Sequence, residues 1–339
     1  MMKALIAPGD GSLRVENVAM PVIGEYDCLV KMKSCLFCNS TDRHIVDKTF
    51  NFGIPYPCVL GHESLGQVVS IGDKVRNFSS GDWVIRPYAI YPDEVSSNIG
   101  SGWGGFAEFG KIKDFKAMTG DDIMKEEEVP GFFKYMQKLP KELDPDKCMM
   151  ISCFKEIFSS VKQISPVKNR SFLVAGAGVA GCLFAVFLKM VGAEHVTVTA
   201  RRKGQLDFAL KNTATDQVVL IDNISSRGRS FDALVDTTGS AETVLQLLDC
   251  SVKPGGGFYS YAVYPGMADK DFWNAFKKKA VFQRIDPVEA SVHEEVCKLL
   301  IDGKIDTDNY ISQVFKLDQA EKAWGTVLDK KSCKTAIVF

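Results

Sequence analysis

Soft and borderline metal ligands occur at three places in the first half of the chain. Cys35-Leu-Phe-Cys38 heads the run Asn39-Ser-Thr-Asp-Arg-His44. Gly61-His62-Glu63 follows a proline-rich approach over residues 54–60, and Cys153 lies much later. Cys, His and Cys form a three-ligand zinc set that leaves a fourth position open. That is the arrangement of a catalytic site rather than a structural one. Zinc there would act as a Lewis acid on an alcohol or carbonyl oxygen. A CxxC pair also suits redox chemistry, but the βαβ surroundings of a thioredoxin-like motif are missing. The bland reading of Cys35 is core packing.

A second constellation spans residues 171–203. A short apolar run, Phe172-Leu-Val-Ala175, is followed by Gly176-Ala-Gly178-Val179-Ala180-Gly181 and an apolar helical segment to Met190. Gly192 then ends the helix, before a β-branched run over 195–199. This is the βαβ unit of a dinucleotide-binding fold. The first glycine permits the tight turn, the second admits the pyrophosphate, and the third lets helix pack on strand. The free N–H groups at the helix start face the phosphates.

The exit of the second strand bears on which dinucleotide binds. An NAD site usually has a carboxylate there for the ribose hydroxyls. This chain has Ala200, then Arg201, Arg202 and Lys203. Two guanidiniums suit a 2′-phosphate and no carboxylate repels it, so NADP is expected. The alternative is a solvated basic turn.

The elements that must hold these groups fall into two kinds. Up to about residue 110 the chain reads as short β-prone runs separated by Gly, Pro, Asn and Asp, as in a compact barrel-like domain with no long helix. Residues 114–143 turn acidic and mixed around Phe132, Phe133 and Tyr135, as a surface excursion with a short helix and an aromatic anchor. Over 165–290 strands and helices alternate, which fits a doubly wound parallel sheet. Ligands of such a sheet collect at the carboxyl ends of its strands, where Thr237, Thr238 and Ala262 fall. The last fifty residues fit that sheet poorly and suit the other domain.

Composition narrows the partners. A net charge of −1 gives no reason to expect nucleic acid or a membrane. No apolar run approaches the ~20 residues of a membrane span. The opening Met-Met-Lys-Ala-Leu-Ile-Ala lacks the layout of a signal peptide, and the ten cysteines are scattered rather than framed as disulfides. A cytoplasmic location is expected.

The chain resembles the zinc-dependent medium-chain dehydrogenase/reductase family, the alcohol and polyol dehydrogenases. The matches are CNSTDRH (38–44), GHE (61–63), VVSIGDKVRNFSSGDWV (68–84), GGFAEF (104–109), the glycine motif and VDTTGS (235–240), in the family's order. The resemblance implies an α/β protein: a GroES-like β-rich catalytic domain (1–145 and 290–339) and a Rossmann doubly wound parallel-sheet domain (146–289). It implies Cys38, His62 and Cys153 as ligands of one catalytic zinc, with Glu156 an alternative to Cys153. Asp42 and Glu63 would be orienting or exchangeable partners. Ser40 or Thr41 would stand beside the substrate oxygen, with His44 at the outer end of a proton relay. The family's Cys-to-Asp spacing is usually one residue shorter, which leaves both hydroxyls open. The cysteine-rich lobe for a second zinc is missing, since residues 87–111 contain no cysteine.

The expected activity is hydride transfer between NADP(H) and a small alcohol or carbonyl compound. A polyol, sugar alcohol or cyclitol comes first, and a simple alcohol or aldehyde second. A zinc-free enone or quinone reductase of the same superfamily would not need Cys38, His62 and Cys153. A homo-oligomer, dimer or tetramer, is expected.

Overall fold

The computed structural model describes residues 1–49, 53–96, 98–224, 226, 228–264, 269–329 and 333–339. It divides the chain into two compact units, Met1–Ser152 with His293–Phe339, and Cys153–Val292.

In the second unit, near-continuous apolar runs become strands buried on both faces, as a parallel sheet requires. Phe172 to Ala175, Val196 to Ala200 and Ala233 to Asp236 are all buried. Six parallel strands lie in the order Gln217–Leu220, His195–Ala200, Ser171–Ala175, Phe231–Asp236, Val252–Ser260, Val281–Arg284. The chain starts in the middle, winds one way and then the other. This is the doubly wound Rossmann order, with its switch point between Ser171–Ala175 and Phe231–Asp236. The strand Val252–Ser260 carries a bulge: its pairing passes from Val252 opposite Phe231 to Gly257 opposite Ala233, and Gly255 between them has φ +74°.

The first unit is β-rich, as expected. One sheet has the strands Arg14–Val18, Met2–Ala7, Cys58–Val59 and Gly100–Ser101. The other runs Ile311–Lys316, Lys334–Val338, Asp27–Leu36, Glu63–Ile71, Trp83–Ile85, with Phe109–Lys113 also on Asp27–Leu36. The tail that fits the Rossmann sheet poorly therefore completes this one: Ala336 pairs with Leu36 and Ile337 with Cys35, antiparallel. Helix Ala320–Leu328 covers the join, its Trp324 and Val327 buried with Leu5, Phe37, Phe106 and Ile337. The excursion over 114–143 folds as short helical pieces, and Phe133 is its anchor, buried with its ring 5.1 Å from Tyr91. One short helix, Thr41–Val46, falls inside the β-rich stretch. It is under two turns long, too short to show helical periodicity.

The glycine motif has the geometry its spacing requires. Gly176 has φ +105°, and a Cβ on Gly181 would lie 1.8 Å from the Gly176 carbonyl oxygen. Gly181→Ala should therefore push helix Val179–Met190 off its strand and cost about 1–3 kcal/mol. Denaturant unfolding measures this, and an unchanged midpoint would show that the helix yields freely.

Candidate metal centre and dinucleotide site

Strand register assembles the first site. In the antiparallel pair Asp27–Leu36 and Glu63–Ile71, Leu36 stands opposite Glu63. Cys38 is two residues past the end of one strand, and His62 is one residue before the start of the other. Gly61 makes the entry possible. At φ +106° it is in the left-handed region, and a Cβ would meet the Phe106 ring at 2.7 Å and Cys35 Sγ at 2.8 Å.

Cys38, His62 and Glu63 bring one ligating atom each within 4.8 Å of one another, the one such group among the described residues. His62 Nε2 is 3.9 Å from Glu63 Oε1, so the other ring nitrogen, Nδ1, faces Asp42 Oδ1 at 3.3 Å. Asp42 is fully buried, and its second oxygen accepts the Cys38 backbone N–H at 2.9 Å. Neither His62 Nδ1 nor Asp42 Oδ1 has a hydrogen-bond partner of good geometry, although both are buried. They answer only to each other. Burial works against a charged His62, but the Asp42 carboxylate and the Cys38 sulfur outweigh it and hold its pKa well above the usual value. Surroundings that favour a proton also favour a metal cation.

The donor chemistry fits zinc. Sulfur, imidazole and carboxylate are its usual ligands, and a carboxylate on the second ring nitrogen fixes the histidine's tautomer and direction. With Cys38 as thiolate, three side chains here are anionic (Cys38, Asp42, Glu63) and two, Lys334 and Arg86, are cationic. The excess of negative charge favours a cation. Cys35 takes no part: burial first, then the nearby Asp42 and Glu63 carboxylates, push its thiol well up in pKa.

Three neighbours of this group have no local signal in the sequence. Buried Arg86 has φ +59° and donates from Nη1 to the His62 carbonyl. Trp103, also left-handed at φ +68°, lays its ring 5.4 Å from the His62 ring. Lys334 pairs with Glu63 across 271 residues of sequence. Only the fold brings them together.

The relay candidates lie on the adjacent helix Thr41–Val46. Ser40, at its N-terminal boundary, is exposed and caps nothing with its side chain, while Thr41 is half-buried. His44 Nδ1 is 2.6 Å from Thr49 Oγ1. Burial, with help from Arg43, lowers its pKa. Cys153 belongs to the second unit, buried in helix Ile151–Lys162. One turn on, Glu156 Oε2 accepts a long hydrogen bond from Tyr261 Oη at 3.5 Å.

The second unit holds the dinucleotide candidates together at the carboxyl ends of its central strands. Gly178 caps helix Val179–Met190, and a Cβ there would meet nothing within 4 Å, which leaves the N-terminal amides of Val179 and Ala180 open to a phosphate. Thr237 Oγ1 donates to the Ala175 carbonyl at 2.8 Å. Thr238 Oγ1 donates to Asp236, whose other oxygen accepts from Tyr264 Oη. The Ala262 N–H reaches the Asp236 carbonyl at 3.2 Å. Ala200 is buried at its strand's end, with Arg201 and Arg202 exposed beyond it. Arg202 makes one long contact, to Gln205 at 3.4 Å, and Arg201 has no hydrogen bond or ion pair among the described residues.

Comparison with known proteins agrees with both halves. Residues 24–120 match the alcohol dehydrogenase GroES-like domain, and residues 191–332 match the zinc-binding dehydrogenase domain. The chain belongs to the zinc-type medium-chain dehydrogenase/reductase family. D-arabinitol dehydrogenase 1 of Uromyces fabae is 24% identical over 99% of this chain and 97% of its own length. L-threonine 3-dehydrogenase of Pseudoalteromonas atlantica is 25% identical over 94% of each chain. A chain from Sinorhizobium meliloti, described as a zinc-binding dehydrogenase and solved bound to NADP, shares the fold. Its TM-score is 0.77 at 23% identity, covering 100% of this chain and 99% of that one. Like other oxidoreductases of this family, this dehydrogenase pairs a GroES-like unit with a Rossmann-like parallel sheet. Among its described residues, no helix is long and apolar enough to cross a membrane.

Purified dehydrogenase should contain about one zinc per chain, by elemental analysis. Asp42→Asn should weaken metal binding about 10–100-fold, because the imidazole loses the carboxylate that orients it. Retained affinity in a chelator competition would show that His62 is held by its backbone alone.

Proposed function

We propose that the protein is an NADP-linked, zinc-dependent dehydrogenase that oxidises a polyol, sugar alcohol or cyclitol, or reduces the corresponding carbonyl compound. The observation that carries this reading is the Cys38, His62 and Glu63 group backed by the buried Asp42. A zinc-free reductase of the superfamily has no use for such a set. Zinc, when bound, supplies Lewis acidity toward the substrate oxygen, and the nicotinamide carries the hydride.

The remaining work falls to the chain. Cys38 and His62 are the proposed ligands, with Cys153 as third and Glu156 its alternative. Asp42 aims His62 by holding its Nδ1 side. Ser40 or Thr41 accepts the substrate's hydroxyl proton while passing its own outward toward His44, which returns it to solvent. The lowered pKa of His44 keeps its imidazole neutral, and so able to accept, at near-neutral pH. Gly176, Gly178 and Gly181 hold the backbone of the pyrophosphate cradle open, and the helix amides of Val179 and Ala180 bind there. Thr237, Thr238 and Ala262 line the nicotinamide end, where the polyol dehydrogenase pattern DTTGS lies.

Cofactor choice rests on Ala200, Arg201 and Arg202. Arg201 has no hydrogen bond or ion pair among the described residues, so none of those need break for its guanidinium to meet a 2′-phosphate. A hydrogen bond to a charged group is worth roughly 1.5–3 kcal/mol, so one good contact gives a preference of about tenfold or more. Arg201→Ala and Arg202→Ala should each weaken NADP binding and leave NAD binding nearly unchanged. Equal catalytic efficiency of the natural protein with NAD would overturn the NADP assignment.

The substrate is tested with a panel of pentitols, hexitols, cyclitols, simple alcohols and L-threonine, assayed with both cofactors on protein of measured zinc content. Turnover confined to compounds with adjacent hydroxyls supports the polyol reading. Turnover of threonine or of simple alcohols alone overturns it. On the same protein, Cys153→Ala should lose zinc and turnover while keeping the fold. If Glu156→Ala does so instead, Glu156 is the third ligand.

A further inference from the structure

Glu63 is claimed twice. A carboxylate oxygen of Glu63 lies in the group of ligating atoms with Cys38 and His62, and its Oε1, 3.9 Å from His62 Nε2, accepts a hydrogen bond from Lys334 Nζ. Both side chains are almost entirely buried, with side-chain exposures of 6% for Lys334 and 1% for Glu63. Lys334 Nζ also reaches the Phe37 carbonyl at 3.3 Å, one residue before Cys38. The lysine is fixed from behind as well. It opens the strand Lys334–Val338, its N–H bonds to the Tyr310 carbonyl, and the next residue's carbonyl accepts the Phe37 N–H. The ammonium is thus delivered to the edge of the metal group by backbone pairing rather than by a flexible surface arm.

A buried ion pair of this kind gains little net stability over an apolar pair of the same size. Its charge has a sharper effect on coordination. A carboxylate oxygen that accepts a charged hydrogen bond is a weaker metal ligand, because the same lone-pair density serves both cations. Glu63 also adjoins His62 in sequence, so it cannot leave the site. Without a competitor it would fill the coordination position that the substrate oxygen needs.

We propose that Lys334 is a positioning residue that competes with the metal for Glu63 Oε1 and so keeps one coordination position open to exchange. This rests on the proposed zinc site, and its test separates the two. The zinc protein is exchanged with cobalt, and two quantities are read: the visible cobalt spectrum with added imidazole as a probe ligand, and the rate of metal release to a chelator.

In the natural protein imidazole should change the spectrum. Lys334→Met should release metal at least about tenfold more slowly and show a spectrum that no longer responds to imidazole, because Glu63 closes the site. Lys334→Arg should behave like the natural protein, since it keeps the charge. Lys334→Met combined with Glu63→Gln should recover the imidazole response. The double variant removes both charges of the pair, so it remains informative if Lys334→Met alone folds poorly. In that case Glu63→Gln by itself should leave the imidazole response intact and release metal no more slowly than the natural protein.

Faster release from Lys334→Met with an intact imidazole response would make Lys334 a structural support and overturn the assignment. So would a double variant that stays blind to imidazole. Failure of the natural protein to bind cobalt or zinc would overturn the metal reading itself, and this assignment with it.

Discussion

Four charged or chargeable side chains taken out of water together impose the strictest condition on this structure. Asp42, His62, Glu63 and Lys334 are nearly fully buried, and Cys38 is half-buried beside them. Removing an ion from water costs several kcal/mol unless an opposite charge and good hydrogen bonds meet it. Each member is met by another: Asp42 by His62 and the Cys38 N–H, Glu63 by Lys334, and Lys334 also by the Phe37 carbonyl. No pair is local in sequence except within 38–42 and 62–63. The three strands that carry Glu63 and Lys334 and lead into Cys38 and His62 must therefore lie in one register, since a slip of one residue would turn the strand side chains to the opposite face. Gly61, the cluster of Phe37, Phe106 and Trp324, and helix Ala320–Leu328 all serve that register.

The second unit solves a different problem with less charge. Its sheet is apolar on both faces, and what it offers a ligand is backbone: an open glycine at a helix start, and strand ends tied by Asp236 to Thr238, Ala262 and Tyr264. Asp236 is fully buried. Burial pushes its pKa up against the four hydrogen bonds that hold it down. Its position fixes two strand ends at once, and these are the ends nearest the switch point of the sheet.

What could be read in the sequence divides along the range of the interactions. The glycine motif is legible because its requirements are local: the turn, the open approach and the helix contact all lie within six residues, and Gly176, Gly178 and Gly181 meet them as spaced. Cys38, His62 and Glu63 were legible as chemistry, by residue type and by resemblance, and their meeting follows from one strand pairing. Lys334 was not legible. A lysine in Ser-Cys-Lys-Thr reads as a solvated strand end, and nothing nearby hints that it is buried against a carboxylate 271 residues away. Trp103 and Arg86 escaped for a second reason. Both adopt left-handed backbone that their residue types disfavour, so propensity argues against the conformation they hold.

The strand Lys334–Val338 has one more consequence, in the order of events as the chain leaves the ribosome. It completes a sheet whose other main strands, Asp27–Leu36 and Glu63–Ile71, were made long before it, with the inserted unit in between. Between them the whole second unit, Cys153–Val292, has been made. Chains fold in contiguous units during synthesis, so the interrupted unit must wait while the inserted one has all its residues at hand. Until Lys334 arrives, Glu63 faces no ammonium and the apolar edge of Asp27–Leu36 stays uncovered. The nascent protein is therefore most exposed to aggregation in its earliest-made half, and a chain truncated before the final strand would carry that exposure permanently.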